Sequence, residues 1–359
     1  MTGDLREGVT TGSCAAGAAL ASALWQLQGS CPDRVEIETP AGRRLCLDIC
    51  PLEGHACGVI KDAGDDPDVT DGCMVVALVE LRQEQGIVFK AGEGIGTVTS
   101  PGLKVPVGEP AINPVPRQMI AAALTPVLGN RGACVTLSIP GGQALAKRTF
   151  NERVGVVGGL SILGTSGIVR PMSEEAVKES LVLEMNVRVC QGVRRVAFVL
   201  GAAGEKAVKA RFGADICCIQ ISNYIGFMLD EAVGLGVTHI LVAGFAGKLV
   251  KVAADIMNTH SHVADGRREV LCTFAALGGA PQPVIEAIYG CKTVQGAIDV
   301  IVQYGYDSIW PRIAQTAAQK CMLRTGGAVT VAVVLLDKDQ NILGQSQGTD
   351  IFFNEKVED

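Results

Sequence analysis

Between residues 194 and 257 the chain alternates short β-rich runs with helical segments: RRVAFVLG, AGEKAVKARF, DICCIQIS, YIGFMLDEAVGLG, THILVAG and KLVKVAADIM. That alternation predicts βαβ units and a parallel, doubly wound α/β sheet. Upstream of residue 150 the pattern differs. Residues 13 to 28 read as a helix of small residues behind the polar turn TTGS, whose hydroxyls suit a helix cap. DRVEIET and RRLCLDI read as a hairpin joined by a Pro-Ala-Gly turn, and CMVVALVEL and GIVFKAG as a second antiparallel pair. PRQMIAAALTPVL then reads as a helix and ACVTLSI as a strand. A chain of 359 residues is long for a single core. The expectation is an α+β domain over residues 1–150 and an α/β domain over 151–359.

Composition narrows the function. A net charge of −6 disfavours non-specific binding to nucleic acid or to a membrane surface, both of which need basic surface. Thirteen cysteines carry neither CxxC nor Cys/His zinc spacing, so no disulfide framework or structural zinc is indicated. Cys46 and Cys50, in RLCLDIC, read as two core thiols. MTGDLREGVTTGSCAAG lacks a basic segment followed by an apolar one, and VTVAVVLL is too short to cross a bilayer. A reducing cytoplasm is the expected compartment. Glycine makes up 44 residues, above the usual ~7%, which implies many turns or close backbone approaches.

Two stretches carry chemistry. In AGFAGKLVKVAADIMNTHSHVAD, residues 243 to 265, Gly244, Gly247 and Lys248 follow a strand and open a helix. Only two residues separate the glycines and Leu249 follows the lysine, so a phosphate-binding loop is excluded. What remains is a turn at the carboxyl end of a parallel strand, where such sheets bind ligands. Lys248 and Lys251 near that helix start suit an anionic ligand, or are solvated lysines. His260 and His262 can take part in hydrogen bonding or proton transfer to a ligand, or bind metal with Asp255 or Asp265, although the spacing matches no known metal site. GVVGGLSILGTSG, residues 155 to 167, holds five glycines with Ser161, Thr165 and Ser166, and reads as a ligand-approaching backbone or an interdomain crossover. GAAG at 201 to 204 is not a dinucleotide fingerprint, and the next strand ends at Ser222 and Asn223 without an acidic residue, so a nicotinamide enzyme is not indicated.

LREGVTTGSCAAGAA, RTFNERVGVVGGLSILGTSGIVRPMSEEA, ISNYIGFMLDEA and GKLVKVAADIMNTHSHVADGRRE together make the chain resemble the cobalt-precorrin-5B C(1)-methyltransferases of anaerobic cobalamin synthesis. The resemblance implies S-adenosylmethionine as donor and a ring-contracted cobalt tetrapyrrole as acceptor, with cobalt arriving inside the acceptor. It also implies a first domain like the second domain of ribosomal protein S5, a Rossmann-like second domain, and possible dealings with other enzymes of the pathway. Acetate and propionate groups of such an acceptor can pair with Arg170, Lys248, Lys251, Arg267 and Arg268, and the turn at Thr10, Thr11 and Ser13 can hold another. On this reading Gly158, Gly159, Ser161, Thr165, Ser166 and Asn223 hold the donor, and His260 and His262 serve the chemistry. Two departures stand out. Phe245 occupies a position where relatives often have histidine, and Asp255 one where they often have glycine. The rival readings are a corrinoid carrier without chemistry and, through the S5-like fold, a small-molecule kinase.

Overall fold

In the computed structural model residues 5–352 are described; residues 1–4, where the stretch read for a leader begins, and 353–359 lie outside. Two compact units divide at Val177/Lys178.

In the first unit β1 (Gly8–Val9) leads into α1 (Thr11–Gln28). Thr10 caps the helix, its Oγ1 accepting from the Ser13 N–H at 3.1 Å, and Gly29 ends it in a left-handed conformation. β2 (Arg34–Glu38) and β3 (Arg44–Asp48) form the predicted hairpin. Leu45 and Leu47 face inward there, so the period of two turns Cys46 out to solvent and leaves Cys50 half-buried, against the reading of two core thiols. All thirteen cysteines are free.

β4 (Cys50–Pro51), β5 (Cys57–Ile60), β6 (Met74–Arg82) and β7 (Ile87–Ala91) lead through β8 (Thr97–Val98) to α2 (Pro114–Leu128) and β9 (Gly132–Ser138). The mixed sheet runs in the order β4-β5-β6-β9-β7, with β7 parallel to β9 and the other pairs antiparallel. β6 and β7 therefore do not pair with each other as predicted; β9 separates them. β9 is buried along most of its length and takes the centre, whereas the largely exposed β7 suits an edge.

α1 packs against α2, β5 and β6 through Cys14 and a run of fully buried alanines. Small side chains permit that close approach: a Cβ on Gly17 would lie 2.6 Å from Leu47 Cδ1. Val79, beyond the end of the β5 pairing, finds its partners on α1 instead. Its N–H donates to Ser22 Oγ at 2.9 Å and its carbonyl accepts from Gln26.

After α3 (Gly142–Ala146) the chain returns to this unit. β10 (Val156–Val157) pairs with β8, and β11 (Ile168–Val169) pairs with β1. The change of pattern near residue 150 thus marks a glycine-rich return into the first unit, not its end.

α4 (Glu174–Cys190) runs across the division between the units. The second unit is built from β12 (Arg195–Val199), α5 (Ala202–Phe212), β13 (Cys218–Gln220), α6 (Ile225–Gly234) and β14 (His239–Phe245), followed by α7 (Ala246–Leu249). Helices α8 (Arg267–Leu277), α9 (Gln282–Gly290), α10 (Val294–Gln303) and α11 (Ile309–Arg324) precede β15 (Thr330–Leu336) and β16 (Ile342–Gln345). The sheet order is β13-β12-β14-β15-β16, parallel except for β16. The predicted βαβ alternation is present, with one difference: KLVKVAADIM is not one helix. α7 passes into a 3₁₀ turn over Val250–Ala254 that ends at Asp255 with φ 65°. Leu249 to Ala253 are all buried, so the segment lacks the polar face of a surface helix. The left-handed backbone at Asp255 is the conformation glycine adopts freely. Among the described residues no helix is long and apolar enough to cross a membrane.

Candidate functional site

The carboxyl ends of the parallel strands carry the second unit's candidate residues. β12 runs into Gly201 (φ 99°), β13 into Ser222 (φ 53°) and Asn223, and β14 into Phe245 and Gly247. A Cβ at Gly201 or Gly247 would meet nothing within 4 Å, so both turns have open backbone. Phe245 is half-buried and packs with the apolar cluster of β12, β14 and β15. Lys248 is exposed and makes no ion pair among the described residues.

Lys251 departs from the expected role in acceptor binding. It is only 2% exposed, and its ammonium donates to the carbonyls of Thr259 (3.1 Å) and Ala264 (2.7 Å). Burial, with help from Arg267 and Lys248, holds its pKa below the ordinary lysine range. A side chain so enclosed cannot meet an acceptor carboxylate. Asn223 supports the same loop: its backbone carbonyl accepts from the Thr259 N–H at 3.0 Å, and its Oδ1 accepts from Thr259 Oγ1 at 3.2 Å.

His260 and His262 are exposed on that loop, with ring centroids 4.9 Å apart and edge-on. The His260 N–H donates to Asn258 Oδ1 at 3.1 Å. Asp265 accepts both arms of Arg267 at 2.6 Å, and this pairing holds its carboxyl well below the usual carboxylate range. Arg267 therefore already has a carboxylate partner in its own loop. Arg268 lies over the Tyr289 ring, 5.0 Å from its centroid. Among the described residues no group of three His, Cys, Asp or Glu side chains lies so as to hold a metal ion.

The first unit gathers the remaining candidates. Thr11 Oγ1 donates to the Leu163 carbonyl (3.2 Å) and accepts from the Leu163 N–H (2.9 Å), while Ser13 Oγ donates to the Gly167 carbonyl (2.6 Å). Thr10 Oγ1 is occupied by the helix cap. These hydroxyls latch the glycine-rich segment to α1 instead of cradling a carboxylate. Ser166 Oγ donates to the Ile168 carbonyl at 2.9 Å, whereas Thr165 is exposed and Ser161 half-buried.

Most glycines of the segment answer to packing. A Cβ on Gly155 would lie 2.3 Å from Ser100, on Gly159 2.4 Å from the Gly94 carbonyl, on Gly164 2.4 Å from Thr10 Oγ1, and on Gly167 2.8 Å from Thr39. Only Gly158, with φ 87°, faces open space. Arg170 is exposed, 3.5 Å from Glu7, which also pairs with Arg43.

The sequence reading missed the run KDAGDDPDVTDG, residues 61–72. Lys61, 2% exposed, donates to Asp68 Oδ2 at 2.8 Å, and Asp68 Oδ1 accepts from the Thr70 N–H and hydroxyl at 2.7 Å. Asp66 accepts from the Met172 N–H at 2.9 Å, and Asp62 pairs with Arg6. Five aspartates beside two glycines and a proline were the available signal of a loop bonded to its own backbone.

Residues 1–171 match the family model CbiD, and residues 258–347 match the model of the CbiD C-terminal domain. A protein of Alkaliphilus metalliredigens (strain QYMF) named cobalt-precorrin-5B C(1)-methyltransferase is 43% identical over 345 residues, which are 94% of this chain and 92% of that one. One of the same name from Thermoanaerobacter sp. (strain X514) is 43% identical over 349 residues, 95% of each chain. The crystal structure of cobalamin biosynthesis protein (cbiD) from Archaeoglobus fulgidus is 28% identical, covering 73% of this chain and 84% of that one, with a TM-score of 0.41. With both models matched and identity above 40% over almost the whole length, the chain belongs to the CbiD family of cobalt-precorrin-5B C(1)-methyltransferases.

Proposed function

We propose that the protein transfers the methyl group of S-adenosylmethionine to C-1 of cobalt-precorrin-5B, giving cobalt-precorrin-6A in anaerobic cobalamin biosynthesis. The observation that carries this reading is the near-full-length identity to relatives that bear that activity as their name. On the same reading the first unit is like the second domain of ribosomal protein S5, the second is Rossmann-like, and the protein works in the cytoplasm.

The chemistry asks the protein chiefly for alignment and exclusion of water. The donor supplies a methyl group on a sulfonium, already a good leaving group. The electron pair of the acceptor carbon forms the new C–C bond, and the pair of the broken S–CH3 bond stays on sulfur. A proton released by the macrocycle goes to a nearby base, the role assigned to the histidine loop. The open turns at Gly201 and Gly247, with Asn223 beside them, suit a donor without phosphate. Lys248 and Arg170, both exposed, suit carboxylates of the acceptor.

Isothermal titration of the full-length protein tests the reading, because catalysis requires both S-adenosylmethionine and cobalt-precorrin-5B to bind. Binding of the tetrapyrrole with no affinity for the donor would make it a carrier.

A further inference from the structure

Among the described residues Lys251 is the least exposed charged side chain of the second unit, and no carboxylate lies within ion-pair distance of it. An ammonium taken out of water is costly unless hydrogen bonds replace its hydration. Here the replacement is two backbone carbonyls, Thr259 and Ala264, five residues apart in the chain. They bracket His260 and His262. The segment between them is exposed at His260, Ser261, His262 and Val263, so burial in an apolar core does not hold it. Its order comes from polar ties: Lys251 at both ends, Asn223 on Thr259, and Asn258 on the His260 N–H.

We infer that Lys251 is a positioning residue, whose buried ammonium joins the two ends of the histidine loop and thereby fixes where the two imidazoles stand. The inference rests on the reading of those histidines as participants in methyl transfer. It replaces a role in acceptor binding with one exerted through other residues. Removal of the ammonium leaves two loop carbonyls without their donor, and the segment then keeps its ties to Asn223 and Asn258 and its short turn bonds onto His260.

Lys251→Met in the full-length protein keeps the length of the stem and removes the donors. Hydrogen–deuterium exchange of the amides from Thr259 to Ala264 is expected to accelerate by roughly tenfold or more as the loop opens locally. The kcat of methyl transfer is expected to fall by roughly 10–100-fold, as displaced catalytic groups do, with KM for S-adenosylmethionine unchanged. In a protein already carrying His260→Gln and His262→Gln, Lys251→Met should cause no further loss, because nothing is left for it to position. Lys251→Gln, whose shorter, uncharged amide retains two N–H donors, provides the same comparison should the Met variant not fold.

Unchanged exchange in the loop would overturn the inference. So would an equal fold-loss with and without the histidines, which would make Lys251 act on its own account. If the two-histidine variant proves fully active, the catalytic reading of the histidines falls, and the exchange measurement still decides whether Lys251 holds the loop.

Discussion

The His262 N–H donates to His260 Nδ1 across 3.2 Å. A ring nitrogen that accepts a backbone N–H is unprotonated, so the neutral His260 ring carries its proton on Nε2 and presents a donor to solvent. Neither ring nitrogen of His262 makes a hydrogen bond among the described residues. His262 is thus the ring free to accept a proton, and His260 the one suited to hold an acceptor atom. His262→Gln should lower the rate of methyl transfer more than His260→Gln does, because only His262 has an uncommitted ring nitrogen to take a proton. A larger loss from His260→Gln would reverse these roles.

Gly158 and Gly159 are neighbours in the sequence with opposite surroundings. Gly159 stands against the Gly94 carbonyl, and Gly158 stands in open space with positive φ. Gly159→Ala should destabilise the first unit by about 1–3 kcal/mol through overpacking against backbone. Gly158→Ala should cost about 1–2 kcal/mol, from the left-handed backbone alone. Urea unfolding of both variants checks the stabilities. Labelled methyl transfer by Gly158→Val then asks whether that open turn meets a ligand; a normal rate would remove it from the site.

Lys61 and Asp68 tie the acidic loop to the first unit, and Lys61→Met should destabilise the protein by about 3 kcal/mol, because it leaves a partly buried carboxylate without its cation. Burial pushes the Asp68 carboxyl up, but the Lys61 ammonium and the Thr70 hydrogen bonds outweigh it, and the group titrates below the ordinary range. Its contribution is therefore complete above the unfolded carboxyl value of about 3.9 and is lost as the pH falls through the lower folded value. Thermal unfolding in acid should show the wild-type advantage over Lys61→Met shrinking in that window. An advantage unchanged by acid would mean that Asp68 is not the partner that matters.

Lys248, unlike Lys251, is free to reach an anion. Lys248→Met should weaken binding of the cobalt-precorrin by about 1.5–3 kcal/mol if the contact is a charge-assisted hydrogen bond, and leave S-adenosylmethionine affinity unchanged. Titration calorimetry with each ligand separates the two effects, and equal acceptor affinity in a folded variant would return Lys248 to the solvated surface.

Local pattern announced much of this fold. The helix behind TTGS, the 34–48 hairpin and the βαβ alternation after residue 194 all arise from period, caps and turn residues within a few positions of one another. What pattern missed depends on partners distant in the chain. β9 lies between β6 and β7 because its apolar run claims the middle of the sheet, a contest no local window contains. The return of residues 151–177 to the first unit needs the pairing of Gly8–Val9 with Ile168–Val169. Lys248 and Lys251 look alike in sequence, yet one is exposed and the other buried, because the helix gives way to a 3₁₀ turn between them. The two histidines and Asn223 were picked from different stretches, and Thr259 brings them to one loop.

Methyl transfer itself is the decisive measurement. The full-length protein should be incubated anaerobically with cobalt-precorrin-5B and S-adenosylmethionine carrying an isotope-labelled methyl group, and the product examined by mass analysis and carbon assignment. The expected result is one labelled methyl group per macrocycle, bonded at C-1. Label at any other carbon, or no transfer by a protein shown to bind both reactants, would contradict the proposed function.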